Sequence, residues 1–231
     1  MKALLLAAGF GTRLRPLTET IPKCLVPIRG RPLLGIWFDL LFPDFVEEAL
    51  VNTHYLAGAV QSFVDASRWR NRVGLVHEPQ LLGTGGTILA NRRVFAGSPF
   101  MVAHADNLTR FDVAAFFHRH RSRPAGASIT MMTFSTDAPS SCGIVETDSR
   151  GMVVGFHEKV ANPPGNCANA AVYIMEPEVI DFLAGLGNPV IDLSTEVLPH
   201  FLGAICTFHN ADYHRDIGTG ESLAAAQKEF V

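Results

Sequence analysis

Cysteine is scarce. The four residues Cys24, Cys142, Cys167 and Cys206 lie far apart and never form a Cys-x-x-Cys pair. That spacing excludes a common zinc or disulfide framework and points to free thiols in a reducing cytoplasm. Surplus charge is missing as well: a formal net charge of -3 at pH 7 gives no basic field for nucleic acid or an anionic membrane. The apolar runs are too short to cross a bilayer. The N-terminus enters an apolar strand without the basic region and cleavage site of a secretory leader. Internal repeats, low-complexity tracts and linker-like runs are absent too. What is present, 231 residues with a 48% hydrophobic fraction, suits one large α/β domain or at most two small ones.

The most informative stretch is residues 3–23, ALLLAAGFGTRLRPLTETIPK. Ala3 to Leu6 is a short apolar run that suits a buried parallel strand. Ala7 and Ala8 lead into a turn of Gly9, Phe10, Gly11, Thr12 and Arg13. Glycines two apart let the backbone bend tightly and bring its N–H groups close to a ligand. Arg13, Arg15 and Lys23 add three cations nearby, a combination that suits a polyphosphate. Two plainer readings compete, a strand-to-helix turn with solvated arginines and a dinucleotide fingerprint. The fingerprint wants a third glycine opening a helix, but position 14 is Leu14 and Pro16 follows.

Downstream, the pattern predicts helices over Pro32–Phe42 and Tyr55–Ala66, and strands over Val46–Asn52, Arg72–His77 and Pro99–His104. Strands alternating with helices imply βαβ units, a mostly parallel sheet, and ligand-facing loops at the strand C-termini. One such loop is EPQLLGTGGT, Glu78–Thr87, expected to precede a helix over Ile88–Arg92. Its Gly83, Thr84, Gly85 and Gly86 either approach a ligand closely or form a flexible loop. Asp106 follows the strand that ends at His104 and suits either Mg²⁺ or a helix cap, which Asp112 could supply instead. The helix Phe111–Arg121 ends in a His/Arg cluster read as a solvated helix terminus. From Ser128 the strands (Ser128–Phe134, Cys142–Glu146, Met152–Glu158, Ala168–Ile174) follow one another without helices, suggesting a smaller antiparallel or mixed lobe. Helices are expected over Glu176–Leu186, Ser194–Phe201 and Glu221–Val231, with a capping box near Asp192–Glu196.

LAAGxGTRLRPLT…PK resembles the signature of the sugar-1-phosphate nucleotidylyltransferases, and the resemblance continues in order through LGTGG, HADN, EK, NAA and DIGT. It implies a Rossmann-like, mostly parallel α/β sheet with a smaller sugar-binding lobe: residues 1–125 as the nucleotide half of one domain, and 126–231 as mainly the sugar half. It implies that a nucleoside triphosphate and a sugar 1-phosphate react on Mg²⁺ to give an NDP-sugar and pyrophosphate. By the same resemblance, Leu6, Ala7, Ala8, Gly9, Gly11, Thr12, Arg13, Gln80, Gly83, Thr84 and Gly85 hold the nucleotide. Arg13 and Lys23 act in catalysis. Gly143, Glu158, Lys159 and Asn169 take the sugar phosphate, and Asp106 and Asp216 bind the metal. The wording departs from the family at His104-Ala105, Val160 and Ala171, and Tyr213 stands where tryptophan is common. The LGTGG loop is closest in wording to guanylyltransferases acting on mannose or heptose phosphates. A uridylyltransferase for amino-sugar phosphates and a non-catalytic binding module are the alternatives. A cytoplasmic monomer or homodimer that engages neither nucleic acid nor membrane is expected.

Overall fold

The computed structural model describes residues 1–230. In chain order the main elements are β1 (Lys2–Leu6), α1 (Leu33–Leu41), β2 (Glu48–Thr53), α2 (Ala57–Ala66), β3 (Val73–His77) and α3 (Gly83–Ala90). They continue as β4 (Phe100–His104), β5 (Asn107–Arg110), α4 (Val113–Arg121), β6 (Ile129–Ser135), β7 (Gly143–Thr147), β8 (Val153–Glu158) and β9 (Cys167–Met175). The last are α5 (Glu178–Gly185), β10 (Ile205–His209), β11 (Tyr213–Asp216) and α6 (Gly220–Glu229). The fold is a mixed α/β one, mostly parallel where strands alternate with helices, with smaller antiparallel ribbons. The helix expected to end at Val231 stops at Glu229, and Val231 lies outside the described residues. The described chain divides into two compact units that interleave along the sequence.

The first unit comprises Met1–Leu81, Ala103–Phe111 and the chain from Asp212. Strands β1, β2 and β3 pair in parallel, with Leu4 opposite Leu50 and Leu50 opposite Gly74. Ala3, Leu4 and Leu5 are fully buried, as a strand covered on both faces requires. Helix α1 is apolar almost all round and buries Leu33, Leu34, Trp37, Phe38 and Leu41. The Trp37 indole donates to the Asn107 carbonyl at 2.9 Å and so ties the helix to β5. Two of this unit's main elements were not foreseen in sequence: β5 and β11 form an antiparallel ribbon with Asp216 opposite Asn107. Both strands are only four residues long, too short for a two-residue periodicity to stand out.

The second unit comprises Leu82–Val102 and Asp112–Ala211. Its strands run in the order β8-β7-β9-β6-β10. Neighbours among the first four are antiparallel, and β10 is parallel to β6. The hairpin between β7 and β8 turns at Asp148, whose side chain accepts from the backbone N–H groups of Arg150 and Met152. Asp112 caps α4 by accepting from Ala115 N. The helix expected over Ser194–Phe201 is instead a π-turn, Leu193–Val197, followed by a 3₁₀ turn, Leu198–Phe201. Pro199 lacks the N–H that a continuous α-helix would need. The cap there is Asp192 itself, which accepts from Thr195 N while its own N–H donates to Glu196 Oε2. The basic end of α4 is less solvated than expected: His120 is 2% exposed, and Arg123 pairs with Glu176.

Candidate active site

In the first unit the chain leaves β1 at Leu6 and turns sharply. Gly11 takes φ +64, and an added Cβ would lie 3.0 Å from the Thr18 methyl and 3.2 Å from Lys23 Cβ. A side chain would be strained there twice over, by conformation and by contact. Thr18 is fully buried and its hydroxyl donates to the Gly11 carbonyl at 2.8 Å, which fixes the turn from below. Leu6, Ala7 and Ala8 are buried, whereas Gly9, Thr12 and Arg13 are exposed. At Gly9 an added Cβ would meet nothing within 4 Å, so the space beside the turn is open.

The charged centre of this unit is Lys23. Its ammonium lies 2.9 Å from Asp106 Oδ2 and 2.8 Å from Asp216 Oδ1, and its side chain is 8% exposed. Arg13 pairs with the other oxygen of Asp216 at 3.1 Å. Three stretches of chain distant in sequence are thus joined by four side chains. Asp106 is placed by the turn after β4, where Ala105 N donates to the Leu6 carbonyl at 2.9 Å. Asp216 is placed by the β5–β11 ribbon and by Ser222, whose hydroxyl donates to the Asp216 carbonyl. Helix α6 is capped by Thr219, not by Asp216, which leaves the Asp216 carboxylate for the cluster. Gly218 lets these two groups close in: an added Cβ would lie 2.5 Å from the Arg13 guanidinium and 2.8 Å from Asp216 Oδ2, so both would have to shift.

Burial alone would lower the Lys23 pKa, but Asp106 and Asp216 outweigh it and hold the ammonium above its ordinary value. Burial likewise pushes Asp216 up, and Lys23 with Arg13 outweighs that and holds its carboxyl below the usual range. The neighbouring Cys24 thiol is pushed up to about 12 by burial and by Asp106, which makes it inert as a nucleophile. The two aspartates already converge on one cation, and they offer hard anionic oxygens. That donor set fits Mg²⁺, which Asp106 and Asp216 would hold through their carboxylates.

The second unit holds the other predicted residues except Gln80. The Gly83–Gly86 stretch is not a loop ahead of a helix at Ile88; it is the first turn of α3. Its N–H groups at Gly85 and Gly86 both donate to the Ile191 carbonyl, at 2.8 and 3.2 Å. The Thr84 hydroxyl accepts from Leu193 N at 2.7 Å. The glycines are needed for packing, since an added Cβ would lie 2.4 Å from Ile191 O at Gly83 and 2.3 Å from Pro189 O at Gly86. Gln80 belongs to the first unit and is exposed after β3.

On the hairpin, Gly143 sits opposite Glu158, and an added Cβ at 143 would come within 2.6 Å of the Glu158 carboxylate. Glu158 pairs with the exposed Lys159 at 2.9 Å, and Lys159 takes φ +49. Asn169 donates to the Tyr173 hydroxyl at 2.7 Å and accepts from Ala171 N. Burial, with Glu158 and Asp192 adding to it, pushes the Tyr173 phenol well above its ordinary value. Gly143, Glu158, Lys159 and Asn169 are therefore gathered on neighbouring strands of one unit.

A family model described as nucleotidyl transferase matches residues 2–231. The chain belongs to the nucleotidyl transferase family. Among its relatives is the mannose-1-phosphate guanylyltransferase of Mycobacterium tuberculosis, 32% identical over 99% of this chain and 64% of that protein. Another is the UTP–glucose-1-phosphate uridylyltransferase of a Synechocystis species, 32% identical over 94% of this chain and 60% of that one. This nucleotidyl transferase family chain thus spans less than two thirds of either relative. A solved structure of HddC from Yersinia pseudotuberculosis, described as complexed with GMP-PN, aligns with TM-score 0.82 at 25% identity over 100% of this chain and 99% of that one.

Three buried or half-buried polar residues beside the turn carry no motif in the sequence. Asn52, 4% exposed, accepts from Ala7 N at 2.7 Å and donates to Glu78 at 3.0 Å. His54 Nδ1 lies 2.7 Å from the Glu78 carbonyl. The available signal was a polar residue, Asn52, at the C-terminal end of an otherwise apolar parallel strand.

Proposed function

We propose that the chain is a sugar-1-phosphate nucleotidylyltransferase. An oxygen of the sugar 1-phosphate attacks the α-phosphorus of a nucleoside triphosphate. The bond from that phosphorus to the β-phosphate oxygen breaks, and pyrophosphate leaves. The attacking oxygen is already ionised near neutral pH, so no general base is needed. The observation that carries this reading is the Lys23 ammonium shared by Asp106 and Asp216 beside an open glycine turn. Such a site must gather polyanions and neutralise charge as it builds on the leaving group.

In this account the turn Leu6–Arg13 cradles the triphosphate, with Arg13 on its β- and γ-phosphates and Lys23 on its α-phosphate. Lys159 meets the sugar phosphate, while Glu158 and Asn169 accept from and orient sugar hydroxyls. Asp106 and Asp216 would hold Mg²⁺, whose charge would screen the phosphate oxygens. By the family resemblance, Gln80 is assigned to the base, as is the backbone around Gly83–Gly85. The enzyme works in the cytoplasm as a monomer or homodimer.

GTP with mannose or heptose 1-phosphate is the favoured pair, supported by the guanylyltransferase relative and by the LGTGG wording. UTP with a hexose phosphate is the second reading, supported by the Synechocystis relative. The complete set Arg13, Lys23, Asp106, Lys159 and Asp216 argues against a non-catalytic module. The test is pyrophosphate release with Mg²⁺ across the common nucleoside triphosphates and a panel of mannose, glucose, N-acetylhexosamine and heptose 1-phosphates. Release that requires both a triphosphate and one sugar phosphate is expected. No release with any pair, despite triphosphate binding, would support the module instead.

A further inference from the structure

We propose that Asn52 and Glu78 are positioning residues that fix the phosphate turn, acting through the Ala7 amide rather than by touching substrate. This rests on the assignment of that turn to the triphosphate. Both side chains are buried, 4% and 3% exposed, within the first unit. A buried carboxyl group is held by the hydrogen bonds it makes, and one of them reaches Asn52. Asn52 Nδ2 donates to Glu78 Oε1 at 3.0 Å, and Asn52 Oδ1 accepts from Ala7 N at 2.7 Å. A side-chain amide can point either way, and an acceptor on one side fixes which. Glu78 therefore directs the Asn52 N–H₂ toward itself and leaves Oδ1 for the Ala7 N–H.

The strand geometry explains why these residues meet. Leu6 and Asn52 are in register across β1 and β2, so Asn52 lies beside the point where the chain leaves β1. Glu78 follows the end of β3, and its N–H donates to the Thr53 carbonyl at 2.8 Å. His54, two residues beyond Asn52, secures the other end of the turn. Its Nδ1 lies 2.7 Å from the Glu78 carbonyl and its ring meets Phe10 edge-on at 5.2 Å. The turn is thus held at Ala7 and at Phe10 by residues two apart on one strand end.

The test is calorimetric binding of GTP and of UTP, each with Mg²⁺, alongside thermal melts, on the full chain. Asn52→Ala removes the clamp and should weaken triphosphate binding at least about tenfold at temperatures where the variant is fully folded. Asn52→Asp keeps the acceptor for Ala7 but sets two carboxylates against each other, and it should weaken binding similarly. The double variant, Asn52→Asp with Glu78→Gln, reverses the polarity of the pair. Its introduced amide can donate to its introduced carboxylate, and the net charge equals the parent's. Binding should return to within about threefold of the parent, a rescue that a merely structural role in the melt would not produce. Parent-like binding in Asn52→Ala, or a swap no better than Asn52→Asp, overturns the proposal. Arg13→Ala separates the two readings, since parent-like binding in that variant would overturn the assignment of the turn itself.

Discussion

Lys23 holds two carboxylates on one ammonium and keeps only 8% of its side chain exposed. Its burial means that removal also touches the fold, because it leaves Asp106 and Asp216 facing each other across the vacated ammonium position. Lys23→Ala should lower turnover about a hundredfold, since a charge that acts in the transition state is worth on the order of 3 kcal/mol. It should also lower stability by about 1–2 kcal/mol, a figure discounted for the half-exposed Asp216. Steady-state rates and denaturant melts check both, and near-parent turnover would remove its assigned role. The pH dependence has a definite sign. Asp216, held below its ordinary 3.8, contributes stability that is present above 3.8 and fades as pH falls through its folded value. Lys23, held above 10.5, contributes stability that is present below 10.5 and fades as pH rises through its folded value. The stability gap between the parent and Asp216→Asn should therefore be flat between those limits and shrink below 3.8, as melts across pH would show.

Among the elements, α3 departs most from its sequence-based expectation. Its glycines read as a loop, ligand-approaching or flexible, because three of them flank Thr84, and helix propensity disfavours glycine. The structure starts the helix at Gly83 because Ile191 and Pro189 pack against it. That is a tertiary cause with no local signature. Gly83→Ala and Gly86→Ala should each destabilise the second unit by about 2 kcal/mol or more, since backbone carbonyls cannot yield as a side-chain end can. Chemical denaturation measures this. Ala171 is the converse case. It departs from the family wording, and it takes φ +54 at the irregularity of β9, where glycine is unstrained. Ala171→Gly should leave stability unchanged or raise it by about 1 kcal/mol. The β1–α1–β2–α2–β3 alternation was legible because long apolar strands and amphipathic helices carry periodicity. The β5–β11 ribbon was not, although it is what brings Asp216 beside Asp106. Similarly, Asp106 and Asp216 could be picked out by motif order. Asn52 and Glu78 could not, because their roles exist only once Ala7 is in place.

At the scale of the whole molecule, acid should weaken the fold well before the carboxylates titrate. Burial, with Arg123 beside it, lowers His120 to about 4; its Nδ1 lies 2.8 Å from the Thr130 hydroxyl. Burial also lowers His214 to about 4, with Asp216 opposing and His104 assisting the shift. The unfolded chain takes up protons near 6.5 that the folded chain refuses, so stability falls as pH drops from 6.5 toward 4. His120→Gln should give a shallower fall, read from melting temperatures across that range. The step that defines the proposed reaction is attack at the α-phosphorus. The most direct measurement follows the label from triphosphates carrying ³²P at the α- or the γ-position, incubated with Mg²⁺ and the reactive sugar 1-phosphate. The account predicts α-label in a nucleotide-sugar and γ-label in pyrophosphate. Release of γ-label as orthophosphate, or its appearance on the sugar, would contradict it.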